Sequence, residues 1–193
     1  MALETTVIEN KIKEKFGADV LNFRMERDIF TFEAAPSVIK NAVCFMKEDE
    51  TLRFNFLTDL CGVHYPDNEK DAQFAAVYLL HNWIDNVRVR VKTFLDGVTP
   101  EVDSVVEIFA AANWMERETY DFYGIIFKGH PNLKRILNDE GMTSFPMRKE
   151  FPLEDAGRTD KDDRFFGRTQ HNNEDIGAAK SSNFGILKSK KYV

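Results

Sequence analysis

Residues 87–92 read Val-Arg-Val-Arg-Val-Lys, the clearest alternation of apolar and charged side chains in the chain. Because successive side chains of a strand point to opposite faces of a sheet, this pattern predicts a β-strand whose three valines face a core. The two arginines and the lysine then point the other way. They indicate either an ordinary solvated sheet face or a basic surface that meets an acidic partner, and the sequence leaves both interpretations open.

Four other segments favour strands because they are rich in β-branched and aromatic residues and are bounded by turn residues. They are residues 19–25, 29–34, 52–66 and 74–80. The third is predicted to open with the alternation Leu52-Arg53-Phe54-Asn55-Phe56. Asp85-Asn86 predicts the turn that leads into the final strand, residues 87–94.

Three amphipathic segments predict helices. Thr6 and Glu9 form a capping-box pattern for a helix over residues 6–16, which Gly17 ends. Pro36 suits the first turn of a second helix. A second capping box, Ser104 to Glu107, predicts that the third helix begins at about residue 105, after a loop over residues 97–103. The apolar positions at helical spacing are Val38, Ile39, Ala42, Val43 and Met46 in the second helix and Val105, Ile108, Phe109, Ala112 and Met115 in the third.

The order helix–strand–strand–helix–strand–strand–strand–helix predicts an α+β fold with about five strands in a mixed sheet, covered by helices on one face. We predict that this globular domain spans residues 1–137. Residues 138–193 are predicted to be an irregular C-terminal segment with a partner-binding arm. From residue 154 onward eight basic and seven acidic side chains nearly balance, and this stretch cannot bury enough to fold alone. The paired Phe165 and Phe166 favour an arm that orders on a partner over a solvating tail.

Composition argues against several functional classes. A net charge of -6 at pH 7 opposes general nucleic-acid binding. No apolar run approaches the roughly 18 residues that would span a bilayer, and residues 1–6 do not resemble a targeting signal. Cys44 and Cys61 are too few to hold a zinc ion or an iron–sulfur cluster, and the four histidines lack metal-ligand spacing. We therefore expect two reduced thiols in a cytoplasmic protein.

Residues 116–123 read Glu-Arg-Glu-Thr-Tyr-Asp-Phe-Tyr, and their carboxylates are candidates for acid–base chemistry. On a helix, however, Glu116 and Glu118 point about 200° apart and cannot share a proton. Arg117 and Asp121 are four residues apart, which is typical of a surface ion pair worth about 0.3–0.5 kcal/mol. Because the chain also lacks a glycine-rich phosphate loop and a nucleophile motif, we expect no catalytic residues.

The residues around and after this stretch favour protein binding. Aromatic side chains from Tyr120 to Phe127 are more than one helix face can bury, and a cationic irregular segment follows them. Aromatic anchors beside arginine are typical of binding hot spots, although a hairpin packed on its own sheet would have the same composition. The predicted partner-binding residues are Glu116, Arg117, Glu118, Asp121, His130, Lys134, Arg135, Arg148, Lys149, Phe165 and Phe166.

The spacing of these residues resembles the signature of a known family. Its ten specified positions over 22 residues are Glu116-Arg117-Glu118, Asp121, Phe122-Tyr123, His130, Lys134 and Ile136-Leu137. This pattern is similar to that of the 30 kDa subunit of respiratory complex I, which in bacteria is the C-type subunit of NADH–quinone oxidoreductase. The likeness is specific from about residue 52 to 153. The chain departs from the family at Thr143-Ser144-Phe145, where Glu-Gly-His is more usual, and at His64, where Asp is common.

The resemblance implies a non-catalytic, hydrophilic subunit of the peripheral arm, on the cytoplasmic side of the bacterial inner membrane. It implies that this chain binds no flavin and no iron–sulfur cluster, since the partner subunits that pass electrons from NADH to quinone hold them. The expected partners are the 49 kDa-type subunit and its iron–sulfur neighbours. Two alternatives stay open: the equivalent subunit of a membrane-bound hydrogenase or ferredoxin-driven complex, and a stand-alone soluble enzyme or adaptor.

Overall fold

The computed structural model describes residues 3–151, which contain a five-stranded mixed sheet. Its spatial order is β1-β2-β5-β4-β3; the pairing of β2 with β5 is parallel and the other three pairings are antiparallel. The strands are β1 Val20–Glu26, β2 Ile29–Ala34, β3 Phe56–His64, β4 Phe74–Asn82 and β5 Val87–Leu95. The predicted fold class and strand number are confirmed.

The predicted alternation of the last strand holds in the structure, where β5 lies at the centre of the sheet. Val89 and Val91 are fully buried. Across the parallel pairing they face Phe30 and Phe32 of β2. Central strands bury their apolar face completely, so this row of side chains forms the middle of the core.

The charged side of β5 is largely neutralised within the chain. Arg90 and Lys92 both donate to the Glu26 carboxylate of β1, at 3.2 and 2.8 Å. The hydrogen bonds from Lys92 and then Arg24 lower the pKa of Glu26 to about 2. Of the three cations that the sequence offered for an acidic partner, only Arg88 is exposed and makes no ion pair with another residue of 3–151.

Three helices complete the domain: α1 Thr5–Phe16, α2 Ile39–Glu48 and α3 Ala112–Tyr123. Ile8 and Ile12 of α1 and Val43 and Met46 of α2 are fully buried in the same core cluster as the β5 valines. Gly17 ends α1 with φ +56°, as predicted. The close packing of α3 on β3 needs Gly62, where an added Cβ would lie 2.6 Å from Cδ2 of Tyr123.

Both predicted capping boxes are wrong. Helix α1 begins at Thr5 with Glu4 as N-cap, and the Thr6 hydroxyl donates to the Glu4 carboxylate instead of capping the helix. Helix α3 begins at Ala112, not at about residue 105. The backbone after Ser104 makes turns instead of a helix, although the Ser104 hydroxyl accepts the N–H of Val106 at 3.2 Å.

Two further boundaries differ from the prediction. The alternation of Leu52 and Phe54 lies before β3, because Arg53 has φ +45° and the Phe54 N–H donates to Met46 of α2. Both apolar side chains are nevertheless fully buried. The predicted loop over 97–103 contains a short strand, β6 Glu101–Asp103, which pairs in parallel with β7 Ile126–Lys128. Strands of three residues provide too few positions for an alternation to be recognised.

A candidate protein-binding loop beside the third helix

Helix α3 and the loop that follows it bring most of the predicted site residues together. Gly124, with φ +77°, ends the helix by donating its N–H to Tyr120. After β7 the chain forms the motif loop, which we define as residues 129–148, and this loop packs back against α3. Residues 138–148, which the sequence analysis placed in the C-terminal segment, are therefore in contact with the sheet domain.

Asp121 anchors the motif loop. Its side chain is fully buried, and its Oδ2 accepts the backbone N–H groups of Ile136, Leu137 and Asn138 at 2.8–3.0 Å. Its Oδ1 accepts Nη1 of Arg135 at 2.7 Å. Burial alone raises the pKa of Asp121, but the hydrogen bonds from Asn138, Leu137 and Arg135 outweigh it and hold the pKa well below its usual range.

Arg135 is the second half of this buried pair. It is 9% exposed, and its Nη2 donates to the carbonyls of Met142 and Ser144 at 2.8 and 2.9 Å. Its guanidinium also lies over the ring of Phe145, 4.9 Å from the centroid. One arginine therefore closes the loop on itself and ties it to the helix.

The expected surface pair between Arg117 and Asp121 is not formed. Arg117 instead donates from Nε to the carbonyl of Lys134 and from Nη2 to that of Arg135, both at 3.1 Å. It also stacks on Trp114, 5.3 Å from the ring centroid. The helical spacing predicted the wrong partner because the loop, which is distant in sequence, supplies a better-placed cation for Asp121.

Glu116 lies on the opposite side of α3 from Asp121 and is fully buried. It accepts the Ser104 hydroxyl at 2.7 Å and the Val105 N–H at 2.8 Å. Burial raises the pKa of Glu116 to about 7, although these two hydrogen bonds favour the charged form. Glu116 therefore connects α3 to the segment after β6 and is inaccessible from the surface of this domain.

Replacing Glu116 by glutamine should change how stability depends on pH. The folded pKa of about 7 exceeds the ordinary value of 4.5, so the folded state holds the proton more tightly. The stability that this carboxyl contributes is full below about pH 4.5 and is lost as the pH rises through 7. Between these values we expect wild type to lose about 3 kcal/mol relative to Glu116→Gln in urea unfolding. The exposed Glu118→Gln variant is the control. Parallel curves of the free energy of unfolding against pH for Glu116→Gln and wild type would contradict the expectation.

His130 and Arg148 also hold the motif loop against α3. The His130 ring has Nε2 3.1 Å from the Asn113 carbonyl, while its Nδ1 accepts the N–H of Asn132 at 3.0 Å. This assigns the proton of the neutral ring to Nε2. Arg148 donates from Nε to the carbonyl of Tyr123 at 2.8 Å and stacks on the ring of Phe145. Burial lowers the pKa of Arg148.

The two departures from the family pattern have clear places in the structure. The Phe145 ring contacts the guanidinium groups of both Arg135 and Arg148, which lie 4.9 and 4.6 Å from its centroid. His64 accepts the backbone N–H of Lys149 at 3.0 Å through Nδ1 and stacks on Phe74. Phe145 thus packs the motif loop against α3, where it also contacts Tyr120, and His64 connects the residue after the loop to the sheet.

What remains at the surface is a mixture of charge and apolar side chains. We define the motif surface as Trp114, Glu118, Lys134 and Leu137. All four are exposed, with Trp114 at 60% and Leu137 at 63%. The predicted site residues include Glu118 and Lys134 but not Trp114 and Leu137, whose exposure depends on how the motif loop packs against α3. Phe165 and Phe166 lie outside the described residues, and the role of every predicted residue in partner binding stays a prediction.

The site supports binding better than chemistry. The hydrogen-bonding groups of Asp121 and Arg135 are used to hold the loop, and Glu116 is enclosed. Over residues 3–151, no group of three or more His, Cys, Asp or Glu side chains could hold a metal ion. Within the same residues, no helix is both long and apolar enough to cross a membrane. Cys44 and Cys61 are free thiols.

Comparison with known proteins gives consistent matches. The profile of the family described as "Respiratory-chain NADH dehydrogenase, 30 Kd subunit" matches residues 32–157. A C-type subunit of the NADH-quinone oxidoreductase of Rhizobium etli is 43% identical over 154 residues, which cover 79% of this chain and 80% of the relative. The corresponding subunit of Methylobacterium radiotolerans is 48% identical over 137 residues, 71% of this chain and 62% of the relative. The match thus spans less than two thirds of the second relative's length.

Two solved structures have the same fold. The trypsin-resistant fragment (1-134) of Nqo5 has a TM-score of 0.54 and 27% identity, and the match covers 65% of this chain and 96% of the fragment. A chain of the membrane-bound sulfane sulfur reductase, an archaeal respiratory membrane complex, has a TM-score of 0.63 and 24% identity over 96% of this chain and 97% of that one. At this identity the second likeness shows the fold alone.

The fold, the motif loop and the family match together define a subunit of a multi-subunit respiratory oxidoreductase. More particularly, the chain belongs to the family of 30 kDa subunits of respiratory-chain NADH dehydrogenase, which includes the two bacterial C-type subunits above. The family predicted from ten signature positions is confirmed.

Proposed function

We propose that this chain is a non-catalytic subunit of the peripheral arm of a proton-translocating NADH–quinone oxidoreductase. It supports electron transfer from NADH through iron–sulfur clusters to quinone by assembling with the subunits that hold these groups, and it binds no flavin or cluster itself. The observation that carries the proposal is the confirmed family membership, together with the motif loop. The buried ion pair between Asp121 and Arg135 holds this loop in place and so fixes its exposed side chains.

The motif surface is the proposed contact with the 49 kDa-type subunit. A buried ion pair and three backbone hydrogen bonds to one carboxylate fix a loop that otherwise has no regular structure. Fixing a loop before binding reduces the entropy lost on association. Tryptophan beside arginine is enriched among the residues that dominate binding energy, and Trp114 is stacked on Arg117. The neighbouring iron–sulfur subunits are further proposed partners.

The proposed location is the cytoplasmic side of the bacterial inner membrane, where the chain is held peripherally through the complex. Membrane association is then indirect and depends on the partner subunits. The proposed C-terminal arm, with Phe165 and Phe166, contributes to the same assembly.

Replacing Leu137 by aspartate tests the motif surface. Because Leu137 is 63% exposed, we expect the variant to fold normally but to enter the complex at least about tenfold less well, as an apolar contact is lost and a charge is buried. The measurement is the amount of tagged chain that co-purifies with the 49 kDa-type subunit from solubilised membranes. Val98→Asp, at a loop residue that is 78% exposed, is the matched control. If the Leu137→Asp variant co-purifies as well as wild type, the motif surface is not part of the interface.

The same purification separates the alternatives. Co-purification of an NADH-oxidising flavoprotein supports the proposed complex, whereas its absence from an otherwise intact assembly indicates a hydrogenase-like or ferredoxin-driven relative. Recovery of the wild-type chain as a monomer from membrane-free extract, with no partner subunit, would contradict the proposed function.

A further inference from the structure

We propose that the turn between β4 and β5 forms a second protein-binding surface, which inserts into an apolar pocket edged by a carboxylate on another subunit. This inference rests on the proposed membership of a multi-subunit complex. We define the hairpin surface as Phe56, His81, Trp83, Ile84 and Arg88. Trp83 and Ile84 are 62% and 63% exposed at the tip of the turn, where polar residues usually lie.

The aromatic side chains of the hairpin surface form a patch around Trp83. The rings of Phe56 and Trp83 have centroids 5.0 Å apart, and those of His81 and Trp83 are 6.2 Å apart. Phe56 is itself 41% exposed. Scattered exposed apolar residues are normal, but an exposed tryptophan that contacts two further aromatic rings, with an exposed isoleucine next to it in the sequence, is typical of an interaction site.

The turn that presents this patch is rigid. Asn82 is fully buried, and its Nδ2 donates to the carbonyl of Leu52 at 2.9 Å and to the carboxylate of Asp85 at 3.0 Å. Its Oδ1 accepts the backbone N–H groups of Ile84 and Asp85 at 2.8 and 3.1 Å. All the hydrogen-bonding capacity of the amide is used, so Trp83 and Ile84 are held in place before any partner arrives.

The charges around the patch indicate the chemistry of the partner. Arg88 lies opposite His81 in the sheet, is exposed and makes no ion pair within residues 3–151. The acidic group of the turn, Asp85, is occupied by Asn82 and by Arg53. An unpaired arginine beside an apolar patch is complementary to a carboxylate at the edge of an apolar pocket. A lipid surface fits less well, since anionic membranes are bound by clusters of about four to eight cations.

The hairpin surface and the end of the motif loop lie at opposite ends of β4. Strand β4 runs from Phe74, whose ring is stacked under Arg148 at the end of the motif loop, to Asn82 in the turn. Nine residues of strand span roughly 27–30 Å. The hairpin surface is therefore distant from the end of the motif loop. In the proposal the hairpin surface and the motif surface contact different subunits, so the chain bridges two neighbours.

The test compares tagged full-length variants for the subunits they recover from solubilised membranes. Trp83→Ser combined with Ile84→Ser should keep the urea midpoint of wild type but recover one neighbouring subunit at least about tenfold less well. Arg88→Glu should weaken the same contact, and Arg88→Lys should retain most of it. Leu137→Asp should reduce a different subunit, and Val98→Ser should change nothing.

Several results would overturn the inference. If Arg88→Glu and the double variant both recover every subunit in the same amount as wild type, the hairpin surface binds no protein. Loss of the same subunit by the double variant and Leu137→Asp would refute the bridge. Self-association of the isolated chain that the double variant abolishes, or flotation with anionic vesicles that it abolishes, would assign the surface to a second copy or to a membrane. Failure of wild type to recover any respiratory subunit would instead refute the proposed function.

Discussion

We expect Asp121→Asn to lower the free energy of unfolding of the full chain by about 3–5 kcal/mol, the largest effect among the substitutions that we propose. Asparagine has the same size, but it removes the charge opposite Arg135, which is 9% exposed. An amide also accepts hydrogen bonds on one side only. The NH2 group of the asparagine, which can only donate, must then face either Arg135 or the three backbone N–H groups of residues 136–138.

The measurement is urea unfolding at pH 7, with Glu118→Gln as the matched control. Glu118 lies one turn earlier on the same helix and is exposed, so its change should stay within about 0.5 kcal/mol. A double-mutant cycle with Arg135→Gln should show strong coupling, since both changes remove the same buried pair. A loss below about 1 kcal/mol for Asp121→Asn would show that the motif loop is not anchored by this carboxylate.

Gly124→Ala has the second largest expected effect, a loss of about 2–5 kcal/mol in the free energy of unfolding. Gly124 has φ +77°, a conformation that costs about 1–2 kcal/mol for a residue with a Cβ. The added Cβ would also lie 2.6 Å from Cε2 of Phe145 and 2.7 Å from Nη2 of Arg148. Forcing these packed groups apart adds about 1–3 kcal/mol and displaces the motif loop.

Gly129→Ala separates these two costs. Gly129 has a similar φ of +81°, but no atom lies within 4 Å of the position that a Cβ would take. We therefore expect Gly129→Ala to lose only the backbone cost of about 1–2 kcal/mol. Equal losses at Gly124 and Gly129, measured by urea unfolding under the same conditions, would show that the approach of Phe145 and Arg148 to α3 contributes nothing to stability.

The elements that could be predicted are those whose signal is local and repeated. The valines of β5 occupy alternate positions over six residues, and Gly17 ends α1 through its own backbone conformation. The capping box at Ser104 predicted a helix start, but the helix begins at Ala112 and the Ser104 hydroxyl donates to Glu116, twelve residues away. The alternation from Leu52 failed as a strand because Arg53 reverses the local backbone, although its apolar residues are buried as expected.

The candidate site shows the same division. The ten signature positions identified the family from residue type and spacing. The contacts of Phe145 with both Arg135 and Arg148 were not predicted. The partner of Asp121 was not predictable from helical spacing. Arg135 is fourteen residues away, and only the return of the loop places it at 2.7 Å.

Periodicity, spacing and side-chain chemistry predicted the five strands of the large sheet and the family, because each of these signals lies within a short stretch of the chain. They could not predict which charged groups are buried and which apolar side chains face solvent. Burial of Glu116 and Asp121 and exposure of Trp114 and Trp83 depend on how distant segments pack. The free energy of burying a charged group or an aromatic ring depends on the groups that surround it in the folded protein. A short stretch of sequence does not contain these groups.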